Sequence, residues 1–449
     1  MVTEIVVIGM GYVGIPAAAL LADVEGHHVT GLQRRSKRSG WKIEVLNSGK
    51  SPFEGDEPGL DDLITRVVEK GSFVVTDDID VLSKADIILI DVQTPTDEQN
   101  MPQYKSLREV STNIGQRIKK GTLVIVESTV APGTTENVVQ KIIEKESNLV
   151  GGVDFDLAFS YERVMPGRLL EFIIKMPRVV GGSTERATKR AFDLYSKIVK
   201  EKIYTTTTLT AELSKTIENS YRDVNIAFAN EMALVAESLG VNIYEIIELI
   251  NARHDRQMHI PGAGVGGHCL PKDPWLLRYG LYEYGTWKIE PEFISVARRI
   301  NNHMPVHMAD LVHNALQHKG IPMQDATVTV LGAAYLENSD DTRNTPAATL
   351  VAALMAKGAE VRIHDPYVQT WEFTPHEILR DLLEAAKDSD CLVLVTKHKE
   401  YFNMDLDKIK SVMRTPIIVD GRNVFDTEAV LSKGFEYRCI GKVGIKRQS

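Results

Sequence analysis

The sequence predicts an α/β protein in which two doubly wound α/β domains are joined by a helical central domain with one long helix. Three observations lead to this fold class. A strand, a glycine-rich turn and a helix follow one another near the start, strand and helix patterns then alternate, and the same order returns after residue 325. We expect the domains at residues 1–207, 208–320 and 321–449.

The first domain is predicted from apolar runs that alternate with amphipathic stretches. Its strands are predicted at residues 4–8, 28–32, 73–75, 86–90, 123–126 and 157–159. Helices are predicted at residues 15–21, 61–70 and 106–118. Because helices that alternate with strands cover both faces of a sheet, the pattern indicates parallel pairing.

The central segment has helical periodicity. Residues 208–239 contain neither glycine nor proline, which predicts one long helix that ends at Gly240. More helix is predicted at residues 243–251 and, after a glycine-rich loop, on to about residue 303. In the third domain we expect a helix and four strands, at residues 345–358 and at 326–332, 360–364, 390–396 and 416–420.

Composition excludes several classes of protein. The chain has 449 residues, of which 43% are hydrophobic and 25% charged, as in an ordinary soluble globular protein. The net charge of -9 makes nucleic acid and membrane surfaces poor partners. Three widely spaced cysteines, together with the absence of a signal-peptide pattern and of a membrane-length apolar run, predict a cytoplasmic protein with reduced thiols. We predict no metal site.

The turn GMGYVG at residues 9–14 fits a dinucleotide-binding pattern. Gly9 allows the tight turn, Gly11 lets a pyrophosphate approach the backbone, and Gly14 lets the helix pack closely on the strand. Free N–H groups at the start of the helix then face the phosphates. The alternative is a turn that serves packing alone. We predict a Rossmann-like dinucleotide-binding domain.

The acid expected about 20 residues later, which would hold the cofactor ribose, is missing. Gln33 and Arg34 follow the second predicted strand instead. An arginine here accommodates the 2′-phosphate of NADP, whereas Gln33 can hold the ribose of NAD. These residues leave NAD and NADP equally open.

The most distinctive local feature is a cysteine that directly follows a glycine-rich loop. Cys269 comes after residues 264–267, with Lys272 and Asp273 close behind. This pattern favours a nucleophilic thiolate. Cys391 opens an apolar run and is predicted to be buried in a strand, and Cys439 is predicted to have no chemical role.

On the long helix, Glu212, Lys215, Asn219 and Arg222 follow helical spacing, so that Lys215, Asn219 and Arg222 share one face. A solvated charged stripe is the alternative. Small residues at 227–233 indicate that the helix is buried, in which case Lys215 and Asn219 need partners. The same small-residue face predicts a homodimer, or a multiple of one, built on this helix.

Six stretches together resemble the nucleotide-sugar 6-dehydrogenases, the UDP-glucose and UDP-N-acetylmannosamine dehydrogenase family. They are GMGYVG at 9–14, EST-x-x-PGT at 127–134, ERVMPG at 162–167, TIENSYRDVNIAFANE at 216–231, PGAGVGGHC at 261–269 and LGAAYLENSDDTRNTP at 331–346. His268 before the cysteine resembles the N-acetylhexosamine branch, since the UDP-glucose branch usually carries serine there.

The resemblance implies an NAD-dependent, four-electron oxidation of the sugar C6 alcohol to a uronate. Cys269 would form a thiohemiacetal and then a thioester. Lys215 and Asn219 would stabilise the oxyanions, and Asp273, with Thr129 and Glu162, would position and activate water. The implied cofactor contacts are Gly9, Gly11, Tyr12, Val13, Gly14, Gln33, Arg34, Thr94, Ser128, Thr129 and Arg343. The implied substrate contacts are Glu162, Arg163, Val164, Lys215, Asn219, Arg222, His254, Arg256, Gly266 and Arg422.

Three residues depart from the family pattern. Gln33 replaces the ribose acid, Tyr161 replaces a proline before Glu162, and Leu336 stands where a lysine is common. UDP-N-acetylmannosamine is the leading implied substrate, followed by UDP-N-acetylglucosamine or UDP-N-acetylgalactosamine and then UDP-glucose, with the uronate serving polysaccharide biosynthesis. The alternatives are a two-electron hydroxyacid or 6-phosphogluconate-type dehydrogenase and a non-catalytic NAD or UDP-sugar sensor.

Overall fold

The computed structural model describes residues 2–37, 39–53, 57–373 and 377–442. The chain separates into two compact units. Unit 1 comprises Met1–Glu218 and Trp275–Glu290, and unit 2 comprises Asn219–Pro274 and Pro291–Ser449. Across the described ranges, no helix combines the length and the apolar character that a bilayer crossing requires.

Unit 1 is built on a sheet that has eight strands in the described residues, in the order β3-β2-β1-β4-β5-β6-β7-β8. All neighbours are parallel except β6 and β7. The strands are β1 Thr3–Ile8, β2 His27–Leu32, β3 Phe73–Thr76, β4 Ile87–Ile90, β5 Leu123–Val126, β6 Asp156–Phe159, β7 Arg178–Gly182 and β8 Ile203–Thr207.

Helices cover this sheet on both faces. They are α1 Gly14–Asp23, α2 Lys42–Asn47, α3 Leu60–Glu69, α4 Lys105–Gly115, α5 Lys141–Ser147, α6 Leu169–Lys175 and α7 Glu185–Tyr195. Every residue of β4 and β5 is buried, and two apolar clusters pack on the unit's strands. Strands that are buried on both faces are the expected form of a parallel sheet.

Helix α8, Thr208–Leu239, is one continuous helix of 32 residues. The boundary between the units lies within it, after Glu218. Gly240 follows with φ +76°, a left-handed conformation that ends the helix. The predicted long helix is therefore confirmed.

The predicted interface on the small-residue face of α8 is wrong. Ala227, Ala229 and Ala233 are only 2%, 0% and 0% exposed within the single chain. Ala233 belongs to the apolar core of unit 2. These alanines already pack inside their own unit, and the exposed side of α8 in unit 2 carries the large side chains Tyr221 and Phe228 instead.

Three helices follow α8. They are α9 Ile243–Asn251, α10 Asp273–Tyr284 and α11 Glu292–His318. The predicted end near residue 303 is wrong, because α11 continues through Pro305 to His318. A proline inside a helix removes one backbone hydrogen bond. Pro305 is nevertheless buried, and packing of the surrounding helix keeps it in place.

Unit 2 is built on a parallel sheet with six strands among the described residues, in the order β11-β10-β9-β12-β13-β14. The strands are β9 Thr327–Leu331, β10 Glu360–His364, β11 Ile378–Leu379, β12 Cys391–Leu394, β13 Ile417–Asp420 and β14 Glu436–Cys439. The helices are α12 Pro346–Ala356, α13 Leu382–Ala386, α14 Lys399–Phe402, α15 Leu406–Val412 and α16 Thr427–Ser432. Apolar clusters pack against this sheet as well.

The predicted fold class is confirmed: two mainly parallel α/β sheets and a long helix. The first six strands of unit 1 have the same order as the six strands of unit 2. The sequence patterns did not indicate β7, α7, β8 or β14. Strand β8 is rich in threonine and partly exposed, and β14 alternates half-buried and buried residues, so neither forms the continuous apolar run that marked the other strands.

Candidate active site

The glycine turn after β1 has the geometry of a phosphate-binding loop. Gly9 has φ +107°, and a Cβ on Gly9 or on Gly14 would overlap backbone atoms. At Gly11, by contrast, nothing lies within 4 Å of the position of a Cβ. Two glycines thus fit tight packing, and the third leaves room for a ligand at the start of α1.

The remaining predicted cofactor residues of this turn lie beside it. Tyr12 stacks on Phe53 with ring centroids 4.5 Å apart, and Val13 immediately precedes α1. Gln33 Oε1 accepts the N–H of Met10 at 3.1 Å, which ties the end of β2 to the turn. Gln33 therefore acts within the protein, whereas the sequence predicted only a contact with a ribose.

Thr94, Ser128 and Thr129 follow the carboxyl ends of β4 and β5, where open α/β sheets bind ligands. Thr94 Oγ1 donates to the carbonyl of Thr129 at 2.6 Å. Ser128 Oγ donates to the carbonyl of Val92 at 2.7 Å. The structure thus brings these three predicted residues together, with the Thr94 and Ser128 hydroxyls bridging the two loops.

A buried charged cluster beneath the glycine turn was missed. Glu127 accepts from Arg178 and, at 2.8 Å, from the hydroxyl of Tyr195. Burial, and then the neighbouring Glu127 carboxylate, raise the pKa of Asp91 well above its ordinary value. The backbone carbonyl of Asp91 lies against Gly9. These contacts join residues that are far apart along the chain, so no local pattern could have predicted them.

Lys215 is buried in unit 1 against the loop after β6. Its Nζ donates to the backbone carbonyl of Glu162 at 2.8 Å and lies 5.2 Å from the ring centroid of Tyr161. The Glu162 carboxylate accepts the N–H of Val164. Arg163 instead forms an ion pair at 2.7 Å with Glu218, so its guanidinium is engaged within the protein.

In unit 2, Cys269 lies in the turn that leads into α10. Its carbonyl accepts the N–H groups of Lys272 and Asp273 at 3.1 and 2.9 Å, and the residue is exposed. Asn219 Nδ2 donates to Asp273 Oδ2 at 2.5 Å. Lys272 Nζ lies 3.0 Å from the other carboxylate oxygen of Asp273. Three residues that the sequence predicted to be catalytic, Cys269, Asn219 and Asp273, thus lie together with Lys272 at a helix N-terminus that stabilises negative charge.

The cysteine loop is fixed by the loop after β9. Gly267 N–H donates to the carbonyl of Arg343 at 2.9 Å, and Asn344 donates to the carbonyl of Gly267 at 3.0 Å. A Cβ on Gly266 would contact the side chain of Tyr335. The Arg343 guanidinium pairs with Asp341 at 2.6 Å.

His268 lies in the same loop. Burial, and then the charges of Lys272 and Arg343, lower the pKa of His268 to about 4. The imidazole is therefore neutral at neutral pH. A neutral ring next to Cys269 in the chain donates or accepts one hydrogen bond without adding charge.

Sequence reasoning also missed a polar network behind the cysteine loop. Asn230 Oδ1 accepts the N–H of Gly262 at 2.9 Å, and its Nδ2 donates to Asn301 Oδ1 at 2.8 Å. Asn301 donates to Asp223, which pairs with Arg298 at 2.7 Å. Both asparagines are fully buried or nearly so. The network fixes the start of the loop on α8 and α11.

The other predicted substrate residues differ in their surroundings. Arg422 Nε donates to the carbonyl of Val395 at 2.7 Å, and its guanidinium lies against Gly262. Arg222, His254 and Arg256 are exposed. Arg256 pairs with its neighbour Asp255 at 2.7 Å, and His254 lies in the same exposed loop after α9.

Models of one protein family match most of the chain. The NAD binding domain of the UDP-glucose/GDP-mannose dehydrogenase family matches residues 3–199, its central domain matches residues 209–303, and its UDP binding domain matches residues 329–427. A UDP-N-acetyl-D-mannosamine dehydrogenase from Pyrococcus horikoshii is 40% identical over 439 residues, which cover 98% of this chain and 99% of the relative.

The chain belongs to the UDP-glucose/GDP-mannose dehydrogenase family.

Solved structures agree with this membership. The structure of a UDP-D-ManNAc dehydrogenase from Pyrococcus horikoshii is similar, with a TM-score of 0.90, 39% identity, and coverage of 99% of this chain and 100% of that one. An NDP-N-acetyl-D-galactosaminuronic acid dehydrogenase from Methanosarcina mazei Go1 gives a TM-score of 0.88 at 40% identity, with coverage of 99% and 96%.

As a member of this dehydrogenase family, the protein is an NAD-dependent UDP-sugar dehydrogenase, as the sequence predicted. The open space at Gly11 and the positive φ of Gly9 fit the pyrophosphate of NAD. The two-electron hydroxyacid dehydrogenase and sensor alternatives give way to this class.

Proposed function

We propose that this dehydrogenase oxidises C6 of UDP-N-acetyl-D-mannosamine to the carboxylate, with release of four electrons. Family membership and the similarity to relatives named for that substrate support the choice of sugar. The observation that carries the chemistry is the cluster of Cys269, Asn219, Lys272 and Asp273 in unit 2. A two-electron oxidation to an aldehyde would need no thiol.

Cys269 would act as the nucleophile. Its sulfur adds to the C6 aldehyde and holds the carbon first as a thiohemiacetal and then as a thioester, which water hydrolyses to the carboxylate and the thiol. Asn219 would donate to the oxygen that gains charge, while Asp273 would position water. Asp273 is held for that role by Asn219 on one oxygen and by Lys272 on the other.

Unit 1 would hold the cofactor and supply further polar groups. Gly9, Gly11 and Gly14, with the loops at Thr94 and Ser128, would bind NAD, which when bound accepts the hydrides. Lys215 would stabilise an oxyanion, and Thr129 and Glu162 would help to position water. Lys215 is only 5% exposed, and its bond to the Glu162 carbonyl would hold the ammonium in a low-dielectric place, where its charge acts strongly on an oxyanion.

UDP-N-acetyl-D-galactosamine is the second candidate substrate. The similarity to the Methanosarcina enzyme, named for N-acetyl-D-galactosaminuronic acid, favours it as strongly by identity as the Pyrococcus structure favours the mannosamine sugar. Leu336 also favours a changed contact with the sugar, since it stands where the family commonly has a lysine.

A substrate panel tests the proposal. The purified enzyme is given the UDP derivatives of N-acetylmannosamine, N-acetylgalactosamine, N-acetylglucosamine and glucose with NAD. We expect the highest kcat/KM for UDP-N-acetyl-D-mannosamine and two NADH formed per sugar consumed. One NADH per sugar would contradict the four-electron reaction. A higher kcat/KM for UDP-N-acetyl-D-galactosamine would make that sugar the substrate in place of UDP-N-acetyl-D-mannosamine.

We also propose that the enzyme is a homodimer or a multiple of one, and that its uronate product serves polysaccharide biosynthesis. The exposed side of α8 supports association, since Tyr221 and Phe228 are 69% and 53% exposed. Phe228→Glu should shift light scattering toward a monomer. Phe402→Glu is the matched control, because Phe402 is 54% exposed elsewhere in unit 2. A wild-type monomer at micromolar concentration would contradict the proposal.

A further inference from the structure

The loop after β2 is fixed to the glycine turn by a neutral side chain. Gln33 Oε1 accepts the N–H of Met10 at 3.1 Å, while its Nε2 donates to Ser39 Oγ at 3.0 Å and to the carbonyl of Arg34 at 3.2 Å. Both ends of the amide are therefore engaged within the protein. Gln33 sets the position of Arg34 and Ser39 relative to the turn.

The two arginines at the start of this loop, Arg34 and Arg35, differ in the strength of their ion pairs. Arg35 pairs with Glu44 at 2.7 Å and with Asp77 at 3.0 Å. Arg34 lies 3.8 Å from Glu109, and its side chain is 73% exposed. Such a long, exposed pair contributes little, so the Arg34 guanidinium can exchange it for a stronger anion.

Two hydroxyls complete the loop. Ser36 Oγ and Ser39 Oγ lie 3.0 Å apart, and both residues are half-buried. Each hydroxyl carries one donor and two acceptor positions, so the pair keeps a donor for a ligand beyond the bond between them. An arginine beside paired hydroxyls is suited to a phosphate group.

The topology places this loop at the cofactor. Strand β2 pairs with β1 in parallel register, with Ile8 opposite Leu32, so the loop starts beside the glycine turn. In doubly wound dinucleotide-binding sheets, the residue at the end of this strand faces the adenosine ribose. An acid there binds the ribose hydroxyls and repels a 2′-phosphate, whereas Gln33 carries no charge.

We propose that Arg34, Ser36 and Ser39 form a binding site for the 2′-phosphate of NADP, so that the enzyme accepts NADP as well as NAD. The Arg34 guanidinium pairs with the phosphate, and the one hydroxyl donor that the serine pair keeps points to it as well. Gln33 is a positioning residue that holds the loop and admits the extra charge. The inference rests on the dehydrogenase function but is independent of the sugar that is oxidised.

Direct cofactor binding tests the site without any sugar. The full-length enzyme is titrated with NADH and with NADPH, and fluorescence of the reduced nicotinamide reports binding. We expect the two dissociation constants to agree within about tenfold. A charge-assisted hydrogen bond from Arg34 is worth about tenfold in affinity or more, and it offsets the cost of accommodating the extra phosphate of NADPH. A preference for NADH of about a thousandfold would overturn the proposal.

Variants locate the effect. Arg34→Ala should weaken NADPH binding about tenfold or more and weaken NADH binding much less, because NADH carries no 2′-phosphate. Lys37→Ala, which removes an exposed charge from the same loop, is the matched control and should change both cofactors little. Equal losses of NADPH affinity in the two variants would mean that the loop attracts the phosphate only through its overall positive charge, and would overturn the assignment of Arg34.

Gln33→Asp completes the set. It should weaken NADPH binding by about tenfold or more, because a carboxylate would face the phosphate, and strengthen or preserve NADH binding. If Gln33→Asp left the ratio of the two affinities unchanged, the 2′-phosphate would lie elsewhere. Normal binding of both cofactors without oxidation of any UDP-hexosamine would contradict the proposed function and leave this inference standing.

Discussion

The two sheets hold the turn after their first strand in different ways. In unit 1 the neutral Gln33 accepts one N–H of the turn, from Met10 at 3.1 Å. In unit 2, at the equivalent place after β10, Asp365 Oδ2 accepts the N–H groups of Ala333 and Ala334 at 2.7 and 3.1 Å. The strand orders are alike, so the side chain at the end of the second strand accounts for the difference.

Asp365 is saturated by the protein itself. Its Oδ1 accepts from the N–H groups of Tyr367 and Val368, and its Oδ2 also lies 3.1 Å from Nε2 of His398. A carboxylate with this many donors has little capacity left for a ribose. The same position of the fold therefore carries a carboxylate that braces the turn in unit 2 and a neutral amide in unit 1, where Arg34 of the proposed phosphate site follows it.

Removing the thiol of Cys269, a residue of unit 2, should have the largest effect. We expect Cys269→Ser to lower uronate formation by about 10³-fold or more, because no thioester can form, while the aldehyde stage is still reached. Mass spectrometry should detect a thioester on the wild-type protein and none on the variant. Cys439→Ser, at a buried sulfur, is the control, and full uronate production by Cys269→Ser would refute the nucleophile.

The next effect lies in unit 1. Lys215→Ala should lower kcat by about 10²–10³-fold, since an oxyanion donor is worth roughly 3–4 kcal/mol. Lys202→Ala is a matched control, because Lys202 also lies over a tyrosine ring, 4.5 Å from the centroid of Tyr204. If Lys215→Ala kept kcat within a few-fold while lowering the melting temperature, the lysine would be structural.

The brace itself can be broken at Asp365. Burial works to raise the pKa of Asp365, but hydrogen bonds from His398 and from backbone N–H groups outweigh it and lower the pKa to about 2. Against an ordinary value of 3.8, this stabilises the folded state by about 2 kcal/mol above pH 4. The contribution disappears as the pH falls from about 4 to about 2, since the carboxyl then protonates in both states.

Asp365→Asn should therefore lower the free energy of unfolding by about 2 kcal/mol at pH 7. Both oxygens of Asp365 accept backbone N–H groups, so in either orientation the NH₂ group of the asparagine would face N–H donors and lose those hydrogen bonds. Urea unfolding of both proteins at pH 7, 5 and 3 measures the difference, which should shrink at pH 3. A difference that stays constant across this range would show that charge plays no part in the brace.

The smallest effect is expected at the equivalent place in unit 1. Gln33→Ala removes one hydrogen bond to the turn and should lower the free energy of unfolding by about 1 kcal/mol. Because the amide does not titrate, the loss should be the same at pH 7 and pH 5. A loss as large as that of Asp365→Asn would mean that the two turns are braced alike.

Local chemistry allowed much of the fold to be predicted. The turn at Gly9 and Gly14 follows from steric needs that act within a few residues, and the long helix follows from 32 residues without a breaker. The end of α11 was misplaced because Pro305 carries a local preference that tertiary packing overrides. The division into three domains stays a prediction.

The site was less accessible from the sequence. Cys269, Lys272 and Asp273 are neighbours along the chain, so their spacing alone indicated the cluster. The side chain of Asn230 and the Oδ2 atom of Asp365, by contrast, act through partners 31 or more residues away, and only the folded chain brings these together. The catalytic and binding roles of the individual residues remain predictions.

The unequal exposure of the three cysteines should allow one of them to be titrated selectively with an alkylating reagent. Cys391 and Cys439 are buried, and burial raises the pKa of both thiols, whereas Cys269 is exposed. Alkylation proceeds through the thiolate and needs access to solvent. Iodoacetamide should therefore modify one cysteine per folded chain, and its uptake should measure the concentration of chains with an intact Cys269 thiol. Air oxidation during storage should act on this sulfur first.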